Sequence, residues 1–326
     1  MRLTPLRLAL ILPLVAYTSA HAEQCKLGKL GELPVTMRGN RPLVHAGING
    51  QDALFLADSG AFYSTLTKAA AEAYKLPLQN APVYFAESGV GGEAHTLITR
   101  VRTFTIFGLP IPNVDFFVVD QSLDLGVVGL IGQNVFRLGD VEYDLAHHVI
   151  RIMRAEGCKN TPLAYWAAAD STPFSVIDID TPTQSAPHTT GVAYVNGSQI
   201  RVLFDTGAAR SVLALDAARR VGVTPTTAGV VAAGDWRGIG PGSGTTWIAP
   251  FASFKIGDEE IRNTHLRIGG EQLKVDMLLG ADFFLSHRVY VAVGQRKLYF
   301  TYNGGAVFDL GTDSPPQPPA APPTAH

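Results

Sequence analysis

The sequence predicts a mostly β protein built from two copies of one domain in a single chain, with short helices. Three observations carry that prediction. First, AYVNGSQIRVLFDTGAARSVL (193–213) aligns without gaps on AGINGQDALFLADSGAFYSTL (46–66), and nine of the 21 columns are identical. Second, GLIGQNVF (129–136) is paralleled by MLLGADFF (277–284), so two separate motifs repeat in the same order. The spacing is kept as well: Asp58 to Gly132 spans 74 positions, and Asp205 to Gly280 spans 75. Third, Asn49-Gly50 and Asn196-Gly197 are hairpin-turn dipeptides, each followed by an apolar run that ends in an aspartate.

The first residues, MRLTPLRLALILPLVAYTSAHA, join a positive start (Arg2, Arg7) to a short apolar stretch and an Ala20-His21-Ala22 cleavage pattern. Residues 1–22 are expected to be a secretory signal peptide, since the apolar stretch is too short to span a bilayer and contains Pro13. Export, to the periplasm or outside the cell, follows. The chain's two cysteines, Cys25 and Cys158, are expected to pair in an oxidising compartment. That bridge would close a loop of 133 residues, worth about 5 kcal/mol in the chain-entropy picture.

The first half is placed at 25–157, a linker at 158–172 and the second half at 173–311. The Pro-rich end, 314–326, is expected to be an extended, unpacked tail. Ala-rich segments after each aspartate (68–74 and 216–221) predict short helices. Further strands are expected at 103–107, 114–119, 149–153, 254–256, 289–293 and 297–302. Gly-rich segments at 87–93 and 234–240 predict hairpin tips. His147-His148 reads as a solvated turn, and Asp140, Glu142 and Asp144 as a solvated edge.

Composition narrows function. The net charge is −2, with 46% hydrophobic and 17% charged residues and no Lys/Arg run, so nothing points to nucleic acid. No His or Cys stands at ligand spacing, and no metal or cofactor is expected. Ser64 and Ser211 have no base at a recognisable spacing, which argues against a serine hydrolase.

A hydrophobic pair, Asp, Ser/Thr, Gly and Ala, then hydrophobic-hydrophobic-Gly about 75 positions later, resembles the retropepsin-like aspartic proteases. Leu203-Phe204-Asp205-Thr206-Gly207-Ala208 and Phe55-Leu56-Ala57-Asp58-Ser59-Gly60-Ala61 carry the active-site pattern. Leu278-Leu279-Gly280 and Leu130-Ile131-Gly132 carry the second signature. Two copies in one chain also make it similar to pepsin-type enzymes. It departs from them in lacking a segment between signal and first strand, in having Ala after each Gly, and in offering a flap in both halves.

The resemblance implies a bilobal acid-protease fold of two β-barrel-like halves, with Asp58 and Asp205 as the catalytic pair. Two carboxylates in contact share one proton; the ionised member activates a water and the protonated one donates to the scissile carbonyl. Ser59, Gly60, Ala61, Thr206, Gly207 and Ala208 support the loops, with Ser59 and Thr206 hydrogen-bonding across the twofold axis. Tyr84, Val90, Gly91 and Trp236 are flap candidates that would touch a peptide or protein substrate bound as an extended strand. The implied activity is aspartic endopeptidase, and the alternative is a catalytically silent peptide- or protein-binding module on the same fold. The implied active unit is a monomer acting as an internal pseudo-dimer without a membrane span after signal cleavage, with a homodimer left open. Asp282, in the second signature, reads as structural.

Overall fold

The computed structural model describes residues 24–311, apart from 82–86, 90–91, 95–96, 121–122, 124, 184–186, 238–242, 271–272 and 274. At each Asn-Gly turn both residues take positive φ, 51° and 85° at Asn49-Gly50 and 49° and 77° at Asn196-Gly197. That conformation matches the right-handed twist of the strands it joins. Arg41–Ile48 therefore folds back on Gln51–Ala57, and Thr190–Val195 on Ser198–Phe204.

The second strand of each hairpin next pairs in parallel with the short strand of the second motif, Gly129–Ile131 or Met277–Leu279. On the far side of that strand lies Thr65–Thr67 in the first half and Val212–Ala214 in the second, both antiparallel to it. The ring is completed by Leu109–Val119 with Leu97–Ile106, and by Glu259–Gly269 with Ser243–Ile256. Gly47↔Thr105 and Ile48↔Phe104 close the first ring, and Tyr194↔Lys255 and Val195↔Phe254 the second. Each half is thus a six-stranded barrel among the described residues. Phe55, Phe104 and Phe116 fill the first, and Phe204 and Phe254 lie buried in the second. The expected strands all fall on observed ones to within a residue. The expected helices are Lys68–Ala73, whose first turn is capped by the Thr67 side chain, and Leu215–Arg220.

A six-stranded sheet joins the barrels, in the order Ser175–Asp178, Lys297–Tyr302, His287–Ala292, Asp140–Asp144, Val149–Glu156, Lys26–Arg38. Its central pairing is Val141↔Val291, Glu142↔Tyr290 and Tyr143↔Val289. Glu142 and Tyr290 are repeat equivalents, 148 positions apart, so the pseudo-twofold axis passes between them. The equivalence runs on through the 3-10 turns Leu145–His147 and Val293–Gln295 to His148 and Arg296, both left-handed at φ 58° and 56°. Cys25 and Cys158 are disulfide-bonded, tying the start of the first strand to the end of this sheet.

The solvated-edge expectation for Asp140, Glu142 and Asp144 is overturned. Glu142 is fully buried and Asp144 nearly so. Glu142 accepts from Arg151 Nη1 (2.5 Å) and from Arg288 Nε (3.0 Å) and Nη2 (2.7 Å), while Tyr165 Oη donates to its other oxygen. Asp140 accepts from Tyr290 Oη and Val293 N. An alternating acidic strand has the pattern of a solvated edge, but here the second half and the linker cover it. The linker forms a helix, Tyr165–Asp170, that lays Trp166 against the Arg288 guanidinium, 4.5 Å from the ring centroid. Tyr165 is pushed up to about 12, chiefly by burial and then by its hydrogen bond to Glu142. His147 does sit on a turn, its ring exposed and 2.6 Å from Asp144.

No helix among the described residues is long and apolar enough to cross a membrane.

Candidate active site

Each hairpin's second strand ends where the chain must turn, and there it presents a carboxylate. Asp58 N donates to Ile131 O (2.9 Å), and Asp205 N to Leu279 O (2.8 Å), so each aspartate is pinned to the second motif of its own half. Gly60 N donates to Asp58 Oδ1 and Gly207 N to Asp205 Oδ1, both at 2.9 Å, with Ala208 N a further donor to Asp205 at 3.2 Å.

The glycines are required by the opposite half. A Cβ on Gly60 would lie 2.6 Å from Asp205 Oδ2, and one on Gly207 would lie 2.5 Å from both oxygens of Asp58. Each loop must be bare at that position because the other carboxylate occupies the space. The two carboxyl groups therefore stand together across the axis, each over the other half's glycine, where a second negative charge is disfavoured.

The hydroxyl lattice expected across the axis is present. Ser59 Oγ donates to Phe204 O (2.8 Å) and accepts from Thr206 N (2.9 Å). Reciprocally, Thr206 Oγ1 donates to Ala57 O (2.7 Å) and accepts from Ser59 N (3.0 Å). All four bonds cross between halves and both residues are buried, so the loops are locked in pairs. Gln133 Nε2 donates to Ser59 O in the first half only.

Further out, Ser64 Oγ donates to Asn134 and accepts from Gly132 N; Ser211 Oγ does the same with Asp282 and Gly280 N. Asp282 also accepts from Phe283 N and Asp309 N. It holds a loop together, which agrees with its structural reading. Burial pushes it up to about 6 in spite of those hydrogen bonds.

Electrostatics favour a retained proton. Burial, then the neighbouring Asp205 charge, holds the Asp58 carboxyl well above the ordinary carboxylate range. Burial also raises Asp205, while its hydrogen bond with Asp58 and those from Ala208 and Gly207 pull it back. Asp205 itself is 9% exposed, and Asp58 keeps somewhat more contact with solvent.

The structure brings together Asp58, Asp205, Ser59, Gly60, Ala61, Thr206, Gly207 and Ala208. Tyr84, Val90, Gly91 and the Trp236 side chain lie outside the described residues. Around them, Glu87–Gly89 pairs with Gly92–Ala94, and Val231–Arg237 pairs with Ser243–Ile256, as hairpin tips require.

The sequence reading missed three residues here. Tyr143 is buried between Phe136 and Phe284 near the Ser59 side chain, and burial holds its hydroxyl protonated; its counterpart is Val291. Arg41 and His188 are also repeat equivalents, 147 positions apart, and each reaches the other half's loop. Arg41 Nη1 donates to Gly207 O (3.4 Å), and the His188 ring meets Phe62 edge-on at 6.0 Å. Extending the repeat alignment five positions upstream of Ala46 would have found that pair.

Residues 44–135 match the family described as "Aspartyl protease", and residues 192–286 match "gag-polyprotein putative aspartyl protease". The chain is a two-half retropepsin-like protein.

Solved structures similar to this retropepsin-like chain include EIAV protease complexed with the inhibitor HBY-793, at 27% identity and TM-score 0.26, covering 30% of this chain and 86% of that one. A retropepsin-like aspartic protease from Rickettsia conorii is 21% identical at TM-score 0.31, covering 40% and 91%. Basic 7S globulin from soybean is 11% identical at TM-score 0.42, covering 85% and 95%. No curated protein matches the chain.

Proposed function

We propose that the chain is an aspartic endopeptidase in which Asp58 and Asp205 share a proton and activate one water for attack on a peptide bond. The observation that carries this reading is the cross-placement of each carboxylate over the other half's glycine, which sets the two acids side by side across the axis. The ionised acid takes a proton from water as its oxygen attacks the carbonyl carbon. The protonated acid donates to the carbonyl oxygen, giving a neutral tetrahedral diol. Protonation of the amine then releases the two peptide ends. Backbone N–H groups of Gly60, Gly207 and Ala208 hold the carboxylates in place throughout.

Activity as a monomer is part of the proposal, because both acids come from one chain. So is export, which rests on the residue pattern at 1–22 and agrees with the Cys25–Cys158 disulfide. The substrate is taken to lie extended between the hairpins.

Asp58→Asn and Asp205→Asn are each expected to lower cleavage of a denatured protein substrate by about 10³-fold or more while the chain stays folded. Cleavage that survives both substitutions would refute the assignment. The rate should peak at about pH 5–7, because burial raises both carboxyls and Ala61 and Ala208 carry no hydroxyl to stabilise the charge. A pH–rate profile with its maximum below about pH 3 contradicts this.

A further inference from the structure

The two active-site loops are alike through Ala61 and Ala208, then diverge. Phe62-Tyr63 follows in the first half and Ala209-Arg210 in the second. Phe62 and Tyr63 lie against each other at 4.4 Å with rings tilted by 45°, Tyr63 meets Phe117 at 4.9 Å, and all keep some surface in solvent. With the His188 ring against Phe62, one flank of the acid pair is an aromatic wall.

The opposite flank is cationic. Arg210 pairs with Asp309 at 3.1 Å, but both side chains are well exposed, 42% and 37%, and such a pair is weakly held. Arg41 is half-buried, with one long bond to Gly207 O. No carboxylate among the described residues lies within ion-pair distance of it. A guanidinium has five donors, and a half-buried one with no carboxylate at ion-pair distance is stabilised by an incoming carboxylate.

We infer that the cleft is chemically polarised: a peptide binds with an aromatic or large apolar side chain on the Phe62–Tyr63 flank of the acid pair and an Asp or Glu side chain on the Arg41–Arg210 flank. This rests on the peptide-cleft reading proposed above and adds the substrate class. Arg41 and Arg210 are placed to bind a carboxylate, and their repeat equivalents on the first flank are a histidine and a tyrosine, His188 and Tyr63.

The test uses a library of peptides from a digested proteome, with cleavage sites read by mass spectrometry. The expected profile has Asp and Glu enriched about fivefold within a few positions on one side of the cut and aromatic or large apolar residues on the other. Arg41→Gln should remove most of the acid enrichment and leave the apolar preference, while Arg41→Lys should keep part of both. A profile symmetric about the cut, or an acid preference unchanged in Arg41→Gln, overturns the inference.

A second arm measures capture of the same library by the chain carrying Asp58→Asn and Asp205→Asn, with and without Arg41→Gln. Acid-enriched capture that depends on Arg41, without any cleavage by the unsubstituted chain, would keep this inference and overturn the protease reading. Capture without acid enrichment, or no capture, overturns the inference whatever the cleavage result.

Discussion

Glu142 and Tyr290 hold the same place in the two repeats and face each other in register across the strands that join the halves. Ser59 and Thr206 face each other in the same way beside the acid pair. The second pair is chemically matched and the first is not. Each hydroxyl makes the same two bonds to the opposite loop, whereas Glu142 takes in two arginines and a tyrosine while Tyr290 donates to Asp140. The difference follows from what each place must do. Two carboxylates that share a proton need like surroundings on both sides, so the loops around them stay alike. Joining the halves needs only that every buried charge be satisfied, and many residue sets do that.

The mismatch has its largest energetic consequence at Glu142. Glu142→Ala would remove the carboxylate that takes both Arg151 and Arg288, leaving them Asp144 at 3.7 and 3.5 Å and, for Arg151, Glu32 at 3.0 Å. The expected loss is about 3 kcal/mol, at the low end for a broken buried pair because the guanidinium groups keep part of their surface in water. Tyr290→Phe should cost only about 1 kcal/mol, because Asp140 keeps its bond from Val293 N. Denaturant midpoints for the two variants check the order, and equal losses would contradict it.

At the matched pair, Ser59→Ala removes two inter-half hydrogen bonds and orphans Thr206 N. About 2 kcal/mol of stability and most of the activity should go with it, while Thr206→Ser should retain both. Activity that survives Ser59→Ala would show that the lattice is dispensable.

A smaller and pH-dependent effect separates Asn134 from Asp282, another equivalent pair. With its folded value at about 6 against an ordinary carboxyl near 4, Asp282 binds more proton in the folded state. Stability should therefore fall as pH rises from about 4 to about 6, by no more than about 3 kcal/mol. Asp282→Asn should flatten that slope, leaving the part contributed by the acid pair. An unchanged slope in melting temperature against pH would rule it out.

Much of this was legible in the sequence, because a gapless repeat fixes both the fold and the meeting of its two acids. Asp58, Asp205, the two glycines and the crossing hydroxyls all follow from laying residues 46–66 on 193–213. What escaped was long-range and unrepeated. Arg288 lies 146 positions from Glu142, and Tyr165 sits in a linker with no counterpart. An alternating Asp-x-Glu-x-Asp strand therefore suggested water where the structure places cations. Tyr143 escaped for the opposite reason: it has an equivalent, but that equivalent is Val291, so the alignment gave no signal.

In the proposed mechanism the halves set one proton between Asp58 and Asp205. Carbon-13 labelling of aspartate carboxyls, assigned with Asp58→Asn and Asp205→Asn, measures it directly by titration. The expected result is one carboxyl of the pair staying protonated well above the usual carboxylate range, and Asp58 in the Asp205→Asn variant falling toward that range as it loses the neighbouring charge, while burial keeps it above. Two carboxyls that ionise independently near pH 4 in the unsubstituted chain would contradict the account.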